Sequence, residues 1–211
     1  MIDIHTHVLP NIDDGSESPE MSYEMLRASW YNGVTGVIAT PHYYSDRPVD
    51  RFLEKRQRSF EALQELTSFP VKLGAEVYYN SNLAENPDIY KLCLGSSNYL
   101  LLELPFGPSG SPVLRDIEIM RSSLGLEIII AHVERYLRFN DASFPRRLLN
   151  LGCLLQVNAD SASSAKVKRM INQGMISFMA SDMHNLTTRA PNLKDIPPEI
   201  AMNGEEIYNK F

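Results

Sequence analysis

Met1-Ile2-Asp3-Ile4-His5-Thr6-His7 opens the chain with a short apolar run that ends in a His-x-His pair. Side chains alternate along a strand with period two, so both imidazoles of such a pair leave the same face at its carboxyl end. The pattern recurs down the chain. Residues 35–39 are followed by His42, residues 71–77 carry Glu76, and residues 99–104 carry Glu103. Residues 127–131 run into His132, residues 153–157 into Asn158, and residues 176–180 into Asp182-Met183-His184. Most of these runs are continuously apolar, as expected of strands buried on both faces of a parallel sheet. All five histidines stand at such strand ends.

Longer amphipathic segments separate the runs. Ser18-Pro19-Glu20 offers an N-cap with proline at the first helical position, followed by Met21, Met25, Leu26 and Ala28 at helical spacing. Residues 50–67 predict a second helix, with Phe52, Leu53, Phe60, Leu63 and Leu66 as its buried stripe. Residues 112–123, 141–150 and 162–173 predict three more, each closed by a nearby glycine (Gly125, Gly152, Gly174). Residues 84–94 read as a partial helix at most. Strands alternating with helices imply a parallel sheet, either open or closed into a barrel. The polar residues choose between the two. In a barrel all strand ends meet on one rim, so His5 and His184 can share a site that an open sheet would spread across its width. The sequence therefore predicts an α/β chain folded as a (β/α)7 barrel, in one domain over residues 1–211.

Composition narrows the functional classes. The chain has 211 residues, 44% of them hydrophobic and 22% charged, with a net charge of -6. That acidic balance leaves no basic footprint for nucleic acid or an anionic membrane. No apolar run approaches the ~20 residues of a membrane span, and Met1 opens directly onto a strand with no secretory pattern. Cytoplasmic residence is the expectation, with Cys93 and Cys153 reduced. Neither cysteine is followed by the phosphate-cradling loop and arginine that a cysteine-dependent phosphatase needs.

The polar set suits metal ions. The candidate ligands are His5, His7, His42, His132, His184, Asp14, Glu76, Glu103 and Asp182. Asp13 competes with Asp14, and Asp-Asp-Gly is also ordinary turn chemistry. Imidazoles and carboxylates without cysteine fit Mn, Fe or Zn in a hydrolytic cluster rather than a structural zinc. So many ligands exceed what one ion uses, which predicts two or three ions sharing a bridging carboxylate. The carboxylates alone would repel a phosphate dianion, whereas divalent ions reverse that sign and lower the pKa of a bound water to about 7.

Residues 1–7 together with Ile12-Asp13-Asp14-Gly15 resemble the opening of the PHP (polymerase and histidinol phosphatase) superfamily. More narrowly, they resemble its manganese-dependent protein tyrosine phosphatases of bacterial capsule and exopolysaccharide operons. Ala39-Thr40-Pro41-His42, Gly74-Ala75-Glu76-Val77-Tyr78, Leu102-Glu103-Leu104-Pro105, Ala131-His132-Val133-Glu134-Arg135-Tyr136, Gln156-Val157-Asn158-Ala159 and Ala180-Ser181-Asp182-Met183-His184-Asn185 continue that likeness in order. The resemblance implies a distorted TIM-like barrel with three Mn²⁺ ions, hydrolysing phosphotyrosine through a hydroxide that bridges them. It implies one ion on His5, His7 and Asp182, with Glu76 bridging to a second ion on Glu103 and His132. A third would take Asp14, His42 and His184. His42 is further implied in catalysis, and Arg135 and Arg189 in catalysis and in clamping the substrate phosphate. The chain departs from the family pattern at Val133, usually proline, and at Met183, usually a small residue.

The implied substrate is a tyrosine-phosphorylated protein, an autophosphorylating bacterial tyrosine kinase that regulates exopolysaccharide synthesis. Tyr43, Tyr44, Tyr78, Phe106 and Tyr136 are candidates to grip its phenyl ring. A small-molecule phosphatase of the histidinol-phosphate type could use the same metal site, but would favour a more closed pocket with longer lid loops. A proofreading module for nucleic acid is disfavoured by the acidic balance, and a dead binding module by the full set of nine ligands. Oligomeric state is open on sequence grounds.

Overall fold

The computed structural model describes residues 1–194 and 196–210. Its strands are β1 (Ile2–Thr6), β2 (Gly36–Ala39), β3 (His42–Tyr43), β4 (Val71–Leu73), β5 (Glu76–Tyr78), β6 (Tyr99–Glu103), β7 (Glu127–Ile130), β8 (Leu154–Asn158) and β9 (Phe178–Ala180). Every pairing between them is parallel. One sheet has the order β1-β2-β4 and the other β3-β5-β6-β7-β8-β9. The two are a single curled surface with breaks. Pro41 has no N–H to donate, so the ladder lapses between β2 and β3, and Gly74-Ala75 separates β4 from β5. Across both gaps the backbone still pairs, through Gly74 N–H to Ala39 O at 2.8 Å and Glu76 N–H to Pro41 O at 3.1 Å. Gly74 lets Leu94 pack closely at its break, since a Cβ there would stand 2.7 Å from the Leu94 side chain and 3.3 Å from its Cα.

The far edges also meet. Asp182 N–H donates to His5 O at 2.9 Å and His7 N–H to Met183 O at 2.9 Å, with a parallel bridge between Thr6 and Met183. These bonds carry the chain's last strand end back to its first. The architecture is a curled parallel sheet clad by helices α1 (Pro19–Tyr31), α2 (Val49–Gln64), α3 (Ser111–Ser122), α4 (Phe144–Asn150), α5 (Ala165–Asn172) and α6 (Pro198–Asn209).

Local sequence explains most of the elements. Ser18 caps α1 by accepting from Met21 N–H at 3.2 Å, and Pro19 begins the helix. Ser164 does the same for α5 from Val167 N–H, so that helix starts three residues later than expected. A 3-10 turn, Ala159–Ser163, takes up the difference. Residues 84–94 form only two 3-10 turns, Leu83–Glu85 and Ile89–Leu92. The α2 stripe holds at Phe52 and Leu63, which are buried, and fails at Leu66, which is exposed beyond the helix end.

Helix α6 lies beyond the last element predicted from the sequence, in a stretch interrupted by Pro191, Pro197 and Pro198. Two of those prolines in fact set up its first turn, Pro197 as N-cap and Pro198 at N1. Ile200 and Ile207 are buried as it packs on β1 and β9. Gly204 lets it approach closely, since a Cβ there would lie 3.2 Å from Ile2 O.

Two cores result. Along β6 and β7 the side chains alternate between them. Leu100, Leu102, Ile128 and Ile130 pack in the larger, while Leu101 and Ile129 join Ile4, Ile38 and Phe178 in the smaller. Cys93 and Cys153 are both buried and free, and burial pushes each thiol up to about 12. No helix among the described residues is long and apolar enough to cross a membrane. Both thiols should therefore resist a thiol-specific reagent in the native protein near pH 8 and react fully only in denaturant. Stoichiometric labelling of the native chain would contradict the packing described.

Candidate metal centre

The strand ends deliver the histidines and carboxylates to one point. His5 Nε2 and His7 Nε2 lie 3.3 Å apart. Glu76 Oε2 stands 3.1 Å from each of them, and 3.1 Å from His42 Nδ1 as well. Asp182 Oδ1 is 3.5 Å from the same two Nε2 atoms. Despite this crowding, Glu76 Oε2, Asp182 Oδ1, His42 Nδ1 and His184 Nε2 make no hydrogen bond. Buried polar atoms without partners are costly. Donor atoms that converge without bonding one another share a geometry with ligands around a cation, and the residues present fit divalent ions.

Three groups of donor atoms lie within 4.8 Å of one another: His5, His7, Glu76 and Asp182; His7, Asp14, His42 and His184; and His42, Glu76 and Glu103. Glu76 is common to two groups, as a bridging carboxylate requires. The partition is not the one implied by the family likeness. His7 and His42 each enter two groups, and His132 enters none, its Nε2 lying 2.8 Å from Glu76 Oε1 and 3.7 Å from Glu103 Oε1. The two aspartates divide. Asp14 Oδ1 is 3.5 Å from His42 Nε2 and 3.4 Å from His184 Nε2. Asp13 Oδ2 instead stands 2.8 Å from His7 Nδ1 and accepts from His42 N–H at 2.9 Å, orienting one ring from behind.

Several supporting residues were not singled out by sequence. Gln156 Oε1 accepts from His132 N–H at 2.7 Å and lies 3.3 Å from His5 Nδ1. Asp3 is buried, and its Oδ1 accepts from His5 N–H and Ser181 N–H, tying β1 to the end of β9. Both stand in stretches that carry the family likeness, each as a polar residue inside an apolar strand, but the sequence assigned neither a role. Asn158, noted at its strand end, donates to Asp182 Oδ2 at 2.8 Å. Arg135 and Arg189 donate to that same oxygen through one Nη2 each. The backbone is left-handed at His132 (φ 31°) and Asp182 (φ 52°), both non-glycine residues. Such strain persists where the surrounding structure fixes a side chain, and it concentrates at working sites.

The charges are mutually arranged. Burial opposes charge on His5 and His7, yet Glu76 and Asp182 beside the first and Asp13 beside the second hold both rings above the ordinary histidine value. Burial likewise disfavours the carboxylates of Glu76 and Asp182, but His5 and its neighbours hold both well below the usual range. Glu103, desolvated and facing Glu76, is pushed up to about 7. His184, desolvated beside His7, is pushed down to about 3.

Of the five aromatic candidates, two are not available to a substrate. Tyr43 is buried, its hydroxyl donating to Arg47 O at 3.0 Å, and Tyr136 is buried behind His132 Nδ1 at 3.3 Å. Tyr44 and Tyr78 remain beside the site, with Tyr44 5.5 Å from the His42 ring and 5.6 Å from Tyr78, while Phe106 is exposed 6.5 Å from the Tyr136 ring. The departures at Val133 and Met183 are both buried. Met183 meets the Ser29 hydroxyl through its sulfur and accepts from His7 N–H through its carbonyl.

Two outcomes follow from this geometry. His5, His7 and Glu103 all hold protons more tightly than usual in the metal-free chain, and coordination requires those protons off. Calorimetric titration of metal-stripped protein with a divalent ion should show proton release in buffers of different ionisation enthalpy. The apparent affinity should fall as pH drops from about 8 to about 6; a pH-independent affinity would contradict the protonation described. Separately, Gln156→Leu should keep the fold by circular dichroism and weaken metal binding about 10- to 100-fold. Unchanged affinity would remove Gln156 from the site.

Three comparisons place the chain among known proteins. The family model described as "Capsular polysaccharide synthesis, CpsB/CapC" matches residues 1–210. Tyrosine-protein phosphatase YwqE of Bacillus subtilis is 31% identical over 207 residues, covering 90% of this chain and 79% of that protein. Tyrosine-protein phosphatase CpsB of Streptococcus pneumoniae is 28% identical over 215 residues, covering 92% and 87%. A chain from the crystal structures of those same two proteins, described as unique metal-dependent tyrosine phosphatases, aligns with a TM-score of 0.75 at 25% identity, covering 100% of this chain and 87% of that one. With its strand-end histidines and carboxylates gathered as described, the chain belongs to the CpsB/CapC family.

Proposed function

We propose that this chain is a metal-dependent protein tyrosine phosphatase, and that residues 1–211 act as one domain built on a distorted seven-stranded TIM-like barrel of the PHP type. The count of seven takes β2 with β3 and β4 with β5 as interrupted single strands, and the β1–β9 bonds support closure. The observation that carries the functional reading is the ring of imidazole nitrogens from His5, His7 and His42 around Glu76 Oε2. Family membership and the relatives' phosphatase names support it.

His5, His7, Asp14, His42, Glu76, Glu103, His132, Asp182 and His184 would hold the metal, read here as three Mn²⁺ ions. When bound, such ions supply an activated water and offset the charge of a phosphate. The chain's own residues do the rest. Asp182 holds Arg135 and Arg189 side by side through one Nη2 each, and the other N–H donors of those guanidinium groups can meet phosphate oxygens. His42 is the most exposed of the five rings. It stands between the carboxylates and the Tyr44 ring, where a substrate phenyl would arrive. The substrate class is a phosphoprotein, taken to be an autophosphorylating tyrosine kinase of the capsule machinery, and the compartment is the cytoplasm.

Phosphate release by metal-stripped protein, with and without added Mn²⁺, from a phosphotyrosyl peptide and from histidinol phosphate tests this reading. Manganese-dependent release mainly from the peptide is expected; preference for histidinol phosphate would move the activity to metabolism. His42→Ala and Asp182→Ala should abolish turnover while leaving the fold intact. Arg135→Ala should lower kcat/KM about 10- to 100-fold with metal content unchanged, and loss of metal in that variant would overturn its assigned role.

A further inference from the structure

Beside the metal centre the surface opens into a groove on the α2 side. A cavity of about 590 Å³ is lined by Arg47, Arg51, Lys55 and Arg58, over a floor that includes Tyr43 and Phe52. A second cavity of about 270 Å³, lined by Asp14, His42, Tyr44 and Arg47 among others, shares Ile12, His42, Tyr44 and Arg47 with it. The groove therefore runs continuously from the candidate ligands to the helix.

Its charge runs against that of the molecule. The chain as a whole carries -6, yet along α2 four cationic side chains line the groove against two carboxylates, Asp46 and Glu54, while Asp13 and Asp14 line its other end at the candidate ligands. Arg51, Lys55 and Arg58 recur at i, i+4 and i+7 of α2 and so form one stripe along the helix. Lys55 is anchored, donating to Ile12 O at 2.9 Å. Arg51 and Arg58 are exposed and pair with no carboxylate among the described residues, although Arg58 Nε reaches Glu54 O within the helix at 3.4 Å. A helix rises 1.5 Å per residue, so Arg51 and Arg58 are spread over about 10 Å. That spacing decides the occupant. A single phosphate needs donors that converge on one point, whereas a row of separated cations matches about three residues of extended chain at roughly 3.3 Å each.

We propose that this groove binds an acidic run of about three Asp or Glu residues flanking the phosphotyrosine of the protein substrate, and so selects among phosphoproteins. The inference rests on the phosphatase reading given above and adds to it a specificity surface separate from the phosphate clamp. Arg51 and Arg58 touch neither the candidate ligands nor the reacting phosphate, so removing them leaves hydrolysis of p-nitrophenyl phosphate unchanged.

The test compares phosphotyrosyl peptides carrying three Glu on the amino side, three Glu on the carboxyl side, or Gln at the same places, with wild-type protein and Arg51→Ala/Arg58→Ala. One acidic-flank peptide should have a KM about tenfold below its Gln counterpart at equal kcat. The advantage should vanish in the double variant, and in wild type at about 0.5 M salt, where exposed charges are screened. Equal KM for acidic and neutral flanks, or an advantage that survives the double variant, overturns the proposal. So does a second phosphotyrosine that outperforms the three Glu in wild type only, which would assign the groove to a phosphate. Dimerisation that the double variant abolishes would give it to a second copy and overturn the proposal as well. Failure to release phosphate from any peptide or from p-nitrophenyl phosphate is a distinct result, and it would sink the phosphatase reading itself.

Discussion

The crowding of Glu76 against three imidazoles is the constraint on which the rest of the structure depends. A buried carboxylate oxygen within 3.1 Å of three ring nitrogens, and bonded to none of them, is an unfavourable arrangement for an anion facing unprotonated rings. Protonating His5 and His7 relieves it partly in the metal-free chain. A divalent cation relieves it more fully, because it satisfies several lone pairs at once without needing a proton for each. The site is thus a place where the protein holds anions and lone pairs closer together than they would choose. The outlying groups exist to resist their separation: Asp13 behind His7, Gln156 behind His5 and His132, Asn158 behind Asp182.

That resistance comes from the sheet. A regular ladder would place the side chains of successive strands at uniform spacing, whereas the site needs several to crowd inward at one end. The irregularities fall where crowding is greatest. The β1–β2 register shifts between Asp3 and Thr6, around His5. The ladder lapses at Pro41, one residue before His42, and at Gly74-Ala75, one residue before Glu76. His132 and Asp182 take left-handed backbone just beyond β7 and β9. Each departure re-aims one side chain, and the flanking apolar strands, buried on both sides, absorb the strain.

Much of this was legible in the sequence, for physical reasons that differ between elements. The seven apolar runs and their terminal polar residues were readable because burial on both faces leaves no polar alternation to blur them. The helices α1 and α2 announced themselves through Ser18-Pro19 and through the Phe52 and Leu63 spacing. What was hidden depends on contacts distant in sequence. Helix α6 went unpredicted because a proline at a helix start is indistinguishable from one in a loop until the following turn finds β1 and β9 to pack on. Asp13 and Asp14 could not be separated by spacing, since both fit the turn. Only the fold puts one behind His7 and the other in front of His42 and His184. Tyr43 and Tyr136 read as rim residues because aromatic side chains suit both a rim and a core.

The shape of the mouth argues for what may enter it. A small phosphate ester gains most of its affinity from being enclosed, and enclosure needs long loops folded over the site. Here the adjoining space is an open groove along a helix, with the exposed Tyr44 ring beside it. A groove gives an extended chain purchase on both sides of the residue being attacked, so binding energy from flanking residues can position one phosphorylated side chain over the candidate ligands. The net charge of -6 strengthens the point. An acidic protein repels acidic partners over most of its surface, and the stripe on α2 is where that repulsion is reversed. An anionic substrate segment approaching the molecule therefore meets an attractive surface beside the site that will cleave it.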